Sequence, residues 1–323
     1  MDERARRRER LRRRRRKQLI RRMIVTGALM ILIIIVLAFS CGKKEDEKPE
    51  DPKPNTEQND TSNEDENKDT EPEVPKTLIS FDVALNQVTA GTSKDRIEFS
   101  HGPASGQTVH HTVKTSQETL LSKYNAYAVD LETPAEDKVL YMTFDCGYEY
   151  KDRTAGCLDV LKEKNVPAAF YLVGDFAKSE PALTQRMIDE GHVVGNHSDG
   201  HEDFAEVDDA TILNEVQTFH QYMKDNFNYE MTTFRFPSGT YSEHSLALIS
   251  SFGYKTYFWS CAYSDWDRDN GKGSAAALEL MKERLHPGAY ILLHCVSPDE
   301  PQLLADLIDY ARSEGYTFMP IPE

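Results

Sequence analysis

At 323 residues the chain is long enough for one large domain or two small ones with a full core. Its formal charge of −16 conceals an asymmetry: residues 1–22 hold 13 Lys/Arg against 3 Asp/Glu, a net of +10, which leaves −26 on the rest. So acidic a body lacks the basic face that nucleic acid requires, and no nucleic-acid partner is expected for it.

Residues 23–39 form an apolar run without charge, at the short limit for a membrane-spanning helix. The basic head before it predicts a head in the cytoplasm and the bulk of the chain outside. Residues 23–40 are therefore read as a membrane anchor or signal. Two other outcomes stay open. Ala38-Phe39-Ser40-Cys41-Gly42 resembles the end of a bacterial lipoprotein signal, with Cys41 as the lipidated residue, although Phe39 is bulky for it; a cleaved secretory signal is the third. Residues 41–76 are Glu, Asp, Lys, Pro, Asn and Thr with almost no apolar side chains, too few to offset chain entropy, so a disordered acidic tether is expected. Five cysteines (Cys41, Cys146, Cys157, Cys261, Cys295) show no short framework spacing, and mostly free thiols are expected.

Residues 77–135 read as an extension that wraps a catalytic domain spanning 136–323. Within it, 97–99 suits a short strand and 117–124 a helical turn or two, while the adjacent His110 and His111 point apart. From Lys138 a regular alternation begins. Apolar runs at 139–145, 167–173, 192–195, 231–234, 254–259, 289–294 and 316–319 read as strands. Helical spacing fills the intervals at 154–164, 181–190, 208–227, 242–252, 275–285 and 301–313. Repeated β-then-α units predict parallel strands with crossover helices. Seven or so of them point to an α/β fold, a distorted (β/α)7-type barrel, closed or nearly closed, with functional loops at the strands' C-terminal ends.

Those ends carry Asp145, His197 and His201, Arg235, Asp265 and His294. One polar residue at a strand end is commonly structural; five in step are not. His197-Ser-Asp-Gly-His201 spaces two imidazoles to hold one ion on a helical turn or tight loop, although such pairs also occur on exposed helix faces. Zn²⁺ suits two imidazoles plus an oxygen or sulfur. Asp145 can take a proton from a water whose pKa the ion lowers. Arg235 can hold that carboxylate ionised by a two-pronged hydrogen bond. His294 can protonate a leaving amine, a role that the unperturbed imidazole pKa near 6.5 suits, and Asp265 can raise that value. Trp266 can wall a small apolar pocket or be an ordinary buried indole.

Thr143-Phe-Asp-Cys-Gly147, His197-Ser-x-x-His201, Arg235-Phe-Pro-Ser-Gly239, Asp265-Trp266 and Leu292-Leu-His294-Cys-Val-Ser297 resemble, in order and spacing, the five motifs of the polysaccharide deacetylase family (NodB homology, carbohydrate esterase family four). Gly147-Tyr-Glu149, Gly195-Asn-His-Ser198, Ser242-Glu243 with Leu246-Ala-Leu248, and the lead-in Leu121-Ser-Lys-Tyr-Asn-Ala-Tyr127 resemble its muramic-acid de-N-acetylase branch. The resemblance implies a distorted barrel that removes acetyl from an N-acetylated amino sugar with the help of a divalent ion, expected to be Zn. It makes Asp145 the general base, His294 the general acid, Arg235 the residue that positions the base and Asp265 the one that tunes the acid. His197 and His201 become metal ligands, Trp266 and Leu292 walls of the acetyl-methyl pocket, and the Ser238 backbone N–H the oxyanion donor. Most of the family has a second Asp after the base as third metal ligand. This chain has Cys146 there, a thiol that suits Zn²⁺ but not harder ions.

The expected function is thus a membrane-tethered, metal-dependent de-N-acetylase with peptidoglycan or a related N-acetylated glycan as partner and a monomeric catalytic domain. The alternatives are a deacetylase of chitin-like or xylan polysaccharide, and a non-catalytic glycan binder whose metal site Cys146 has spoiled.

Overall fold

A computed structural model of the chain describes residues 78–100 and 115–323. The basic head, the 23–40 segment, the tether, Cys41, His110 and His111 lie outside the described residues. Among the described residues, no helix is long and apolar enough to cross a membrane.

The first strands and helices form the flank of the domain. Helix α1 (Leu85–Val88) and strand β1 (Ile97–Glu98) precede α2 (Thr115–Lys123) and β2 (Ala126–Tyr127). Then the alternation starts: β3 (Val139–Cys146), α3 (Arg153–Glu163), β4 (Ala168–Leu172), α4 (Gly174–Ser179), α5 (Pro181–Asp189), β5 (Val193–Asn196) and α6 (Asp209–Phe227). It continues through β6 (Thr233–Phe234), β7 (Thr240–Tyr241), α7 (Glu243–Ser251), β8 (Lys255–Tyr257), β9 (Cys261–Ala262), α8 (Ser274–Arg284), β10 (Ala289–Leu293), α9 (Gln302–Ser313) and β11 (Thr317–Phe318). Local chemistry fixes the helix starts. Glu149 accepts the backbone N–H of Arg153 at 2.9 Å and of Thr154 at 3.3 Å, Asp208 accepts that of Thr211 at 2.8 Å, and Ser242 and Ser245 cap each other's backbone.

One nine-stranded sheet runs in the order β2-β8-β6-β5-β4-β3-β10-β9, with β11 beside the start of β3, and every pairing in it is parallel. Alternation along β3 sorts its side chains. Tyr141 joins Ala169, Tyr171, Val193, Tyr257 and Tyr290 on the inner face, whereas Leu140, Met142, Phe144 and Cys146 join the helices on the outer face. Both faces are buried, as a parallel sheet requires.

The expected closed or nearly closed barrel is instead a half-barrel. The edge strands β2 and β9 are two residues each and, among the described residues, no ladder joins them. The gap is spanned by residues 258–260, where the Phe258 N–H donates to the Tyr127 carbonyl at 2.8 Å and the Ser260 N–H to the Tyr290 carbonyl at 3.0 Å. The wrapping extension is also more than a wrapper, because it supplies the edge strand β2. Residues 78–100 do lie across the outside: β1 pairs with β7, and the Phe81 ring packs on Phe252, Tyr254 and His220.

Candidate active site

The C-terminal ends of the strands open into a cleft of about 580 Å³ lined by Asp145, His197, His201, Ser238, Trp266, Leu292 and His294, among others. A second cavity, about 360 Å³, lies at the other end, where Tyr141, Tyr257 and Tyr290 surround Asp130. Among the described residues no imidazole lines that second cavity, and the chemistry belongs to the first cleft.

Asp145 is the last inward-facing residue of β3. Its Oδ1 accepts a hydrogen bond from Arg235 Nη1 at 2.8 Å. The guanidinium is wholly buried and stacks over the Tyr171 ring at 4.1 Å. The bond to the carboxylate is single, not two-pronged, because the rest of the fork is engaged elsewhere. Nε donates to the Tyr257 carbonyl at 2.8 Å, Nη2 to the Phe258 carbonyl at 3.2 Å, and Nη1 also to Thr143 Oγ1 at 2.9 Å. Arg235 thereby ties the gap in the sheet to β3. Burial alone pushes the Asp145 carboxyl up, but Arg235, His197 and His294 together outweigh it and hold it below the ordinary carboxylate value.

His197 and His201 sit in a tight loop after β5, not on a helix. Ser198 and His201 are both left-handed, at φ 67° and 60°. Asn196 Oδ1 accepts the Ser198 N–H and Ser198 Oγ accepts the His201 N–H, each at 2.8 Å. This brings the rings edge to face, with centroids 5.0 Å apart. His197 Nδ1 lies 2.7 Å from the Arg235 carbonyl oxygen, so Nδ1 carries the proton and Nε2 offers its lone pair, 3.6 Å from Asp145 Oδ2. Burial brings His197 down to about 4, and it lowers His201 as well. Both imidazoles are then neutral at pH 7, as ligation of a divalent ion requires.

His294 follows β10 and is held by Asp265. Asp265 Oδ1 accepts the Nδ1–H of the ring and Oδ2 the backbone N–H, both at 2.7 Å. Burial disfavours the charged ring, yet Asp265 overrides it and raises His294 above its ordinary value. Trp266, next in the chain, is 62 % exposed on the cleft's lip rather than a buried indole, and Leu292 forms the floor. Ser238, with φ 57°, bends the backbone toward the cleft.

Cys146 stands apart from the two histidines. Adjacent strand residues face opposite ways, so with Asp145 inward Cys146 is outward, in the core beside Cys157 and Cys295. The neighbouring Cys295 and burial push its thiol well above the ordinary value, which disfavours the thiolate a metal needs. Among the described residues, no group of three or more His, Cys, Asp or Glu is set to hold an ion. The donor set that fits a metal is therefore the pair of neutral imidazoles. All four described cysteines are buried free thiols.

Several lining residues are given no role by the sequence reading: Val173, Trp259, Tyr263 and Arg284, together with Tyr148 and Val296, which it includes only as members of motifs. Trp259 falls in the apolar run 254–259 and reads as a strand residue. Gly239, whose φ is 66°, lets the backbone pass close to it, since an added Cβ there would come within 2.7 Å of the indole.

Comparison with known proteins agrees with this geometry. Residues 132–257 match the family model described as polysaccharide deacetylase. The peptidoglycan-N-acetylmuramic acid deacetylase PdaA of Bacillus subtilis is 38 % identical over 206 residues, covering 64 % of this chain and 77 % of that protein. The solved structure of PdaA, a family 4 carbohydrate esterase, superposes with a TM-score of 0.66 at 34 % identity, over 71 % of this chain and 96 % of that one. A family 4 carbohydrate esterase from Bacillus anthracis gives a TM-score of 0.59 at 33 % identity, with the same coverage. With sequence and fold in agreement over most of the relatives' length, the chain belongs to the polysaccharide deacetylase family.

Proposed function

We propose that this chain removes acetyl groups from cell-wall glycan, acting on the amide of N-acetylmuramic acid in peptidoglycan. One observation carries the reading. A single cleft holds a carboxylate shifted toward its ionised form and an imidazole shifted toward its protonated form, each by a dedicated partner, and a base and an acid pushed apart in this way are what amide hydrolysis uses. The choice of glycan is supported by likeness to a protein named as a peptidoglycan-N-acetylmuramic acid deacetylase.

His197 and His201 would hold a divalent ion, zinc by ligand preference, and such an ion supplies Lewis acidity to the carbonyl and acidity to water. The chain's own groups do the rest. Asp145 takes the proton of the attacking water, and Arg235 keeps it ionised and aimed. Asp265 fixes the His294 ring through Nδ1, which leaves Nε2 to give its proton to the departing amine nitrogen. The Ser238 N–H would donate to the developing oxyanion. Trp266 and Leu292 would enclose the acetyl methyl. An anchor at residues 23–40, or lipidation at Cys41, with a tether over 41–76, would place a monomeric catalytic domain outside the cell membrane within reach of a polymer that does not diffuse. Acetate release by the purified chain from defined muropeptides, set beside chitooligosaccharides, tests the reading. Preference for the chitooligosaccharides would reassign the substrate, and no release from either would leave a glycan-binding protein.

A further inference from the structure

Asp265 and Trp266 ride on eleven irregular residues, 263–273, between β9 and α8. Both feet of that loop rest on one side chain that the scheme above does not use. Asp299 is buried, with 2 % exposure. Its Oδ2 accepts the Tyr263 hydroxyl at 3.1 Å and the Lys272 N–H at 3.0 Å, and its Oδ1 accepts the Gly273 N–H at 2.8 Å. The approach is close: a Cβ added at Gly271 would come within 2.3 Å of Oδ1. Asp299 is itself fixed. Its N–H donates to Ser297 Oγ at 3.2 Å, and its carbonyl accepts the Ser274 hydroxyl at 3.1 Å and the Leu303 N–H at 3.0 Å. It stands five residues after His294 on the same connection, so one short segment carries both the imidazole and the anchor of the loop that must meet it.

We propose that Asp299 is a positioning residue for the deacetylation, acting through Asp265: by holding the loop at both ends it sets the Asp265 carboxylate against His294. The inference rests on the reading of the cleft as a deacetylase site. Asn at 299 would keep one acceptor oxygen and turn an N–H toward a second backbone N–H, so Asp299→Asn loosens a foot of the loop with little change of volume.

The test is a double-mutant cycle on the full chain with N-acetylated disaccharide fragments of peptidoglycan. Asp299→Asn lowers kcat about tenfold through misplacement. Because it acts through Asp265, the double variant with Asp265→Asn is within about twofold of Asp265→Asn alone. Unchanged kcat in Asp299→Asn, or losses that multiply in the double variant, overturn the proposal. Should Asp299→Asn not fold, Tyr263→Phe, which removes a single donor, enters the same cycle with the same criterion. A wild-type chain that releases no acetate ends the deacetylase reading on its own account. In that event hydrogen exchange decides for Asp299. Faster exchange of the His294 amide and of residues 263–273 in the variant supports the hold of Asp299 on Asp265, and unchanged exchange overturns it.

Discussion

Asp265 grips His294 at two points, through the ring Nδ1–H and through the backbone N–H, both at 2.7 Å. The first contact fixes the tautomer and favours the imidazolium; the second fixes where the residue begins. A proton donor held in this way is oriented before any substrate arrives.

From this follows a pH signature. His294 is raised above 6.5, so its protonated form persists past the ordinary imidazole range, and kcat/KM should fall only on the alkaline side of pH 6.5. Asp145 is lowered below 3.8, so it stays ionised and sets no limb near neutrality. In Asp265→Asn the main influence opposing burial is lost, with only Asp145 and Cys295 still favouring the charged ring, and the alkaline limb should move to lower pH. A pH–rate series on wild type and variant measures it; an unmoved limb contradicts the role given to Asp265.

Arg235 holds together more than the base. Arg235→Ala removes donors to Tyr257, Phe258, Thr143 and Asp145 and leaves the carboxylate nearly buried without its partner. Breaking a buried pair from one side costs about 3–5 kcal/mol, which denaturant unfolding would register. Activity should fall on the order of 100-fold as the carboxylate loses its aim. Arg235→Lys should rescue little, since an ammonium cannot reach four acceptors in a plane.

Gly195 leads to the same residue by another route. Across the sheet it pairs with Tyr171, and a Cβ there would come within 2.5 Å of the Tyr171 ring and 2.8 Å of Thr233 Oγ1. That ring lies under the Arg235 guanidinium. Gly195→Ala should therefore cost about 1–3 kcal/mol by overpacking. It should lower kcat as well, although Gly195 is not among the residues that line the cleft. Unfolding curves and kinetics on one preparation separate the two effects.

Cys146 offers the cleanest contrast with the family's usual pattern. Its thiol faces the helices, so Cys146→Ala should leave zinc affinity unchanged in a calorimetric titration. The cost should be about 1 kcal/mol of stability, that of an ordinary core truncation. His197→Ala should abolish zinc binding. Loss of zinc with Cys146→Ala would return the sulfur to the metal.

The sequence discloses these residues because each long strand is an apolar run ending in one polar group, as at Asp145 and His294. It discloses less where elements are short. The two-residue strands β2 and β9 carry no periodicity, and their brevity leaves the half-barrel open where repeat counting implies closure. Cys146 was decidable in principle, since neighbours on a strand cannot share a face, but the motif draws the eye along the chain instead of across the pleat. Arg235 was legible as the partner of Asp145, while the claims of Tyr257 and Phe258 on its fork arise only from tertiary packing. The hold of Asp299 on residues 263–273 joins segments 26 or more residues apart and leaves no local signal.

The most direct test is mass spectrometry of defined muropeptides before and after incubation with the purified chain, run in parallel with Asp145→Asn and His294→Ala. The account predicts loss of one acetyl mass from the muramic acid residue with the wild-type chain and none with either variant, while both variants stay folded by circular dichroism. Acetate release at the wild-type rate from either variant would contradict the paired acid and base on which the account stands.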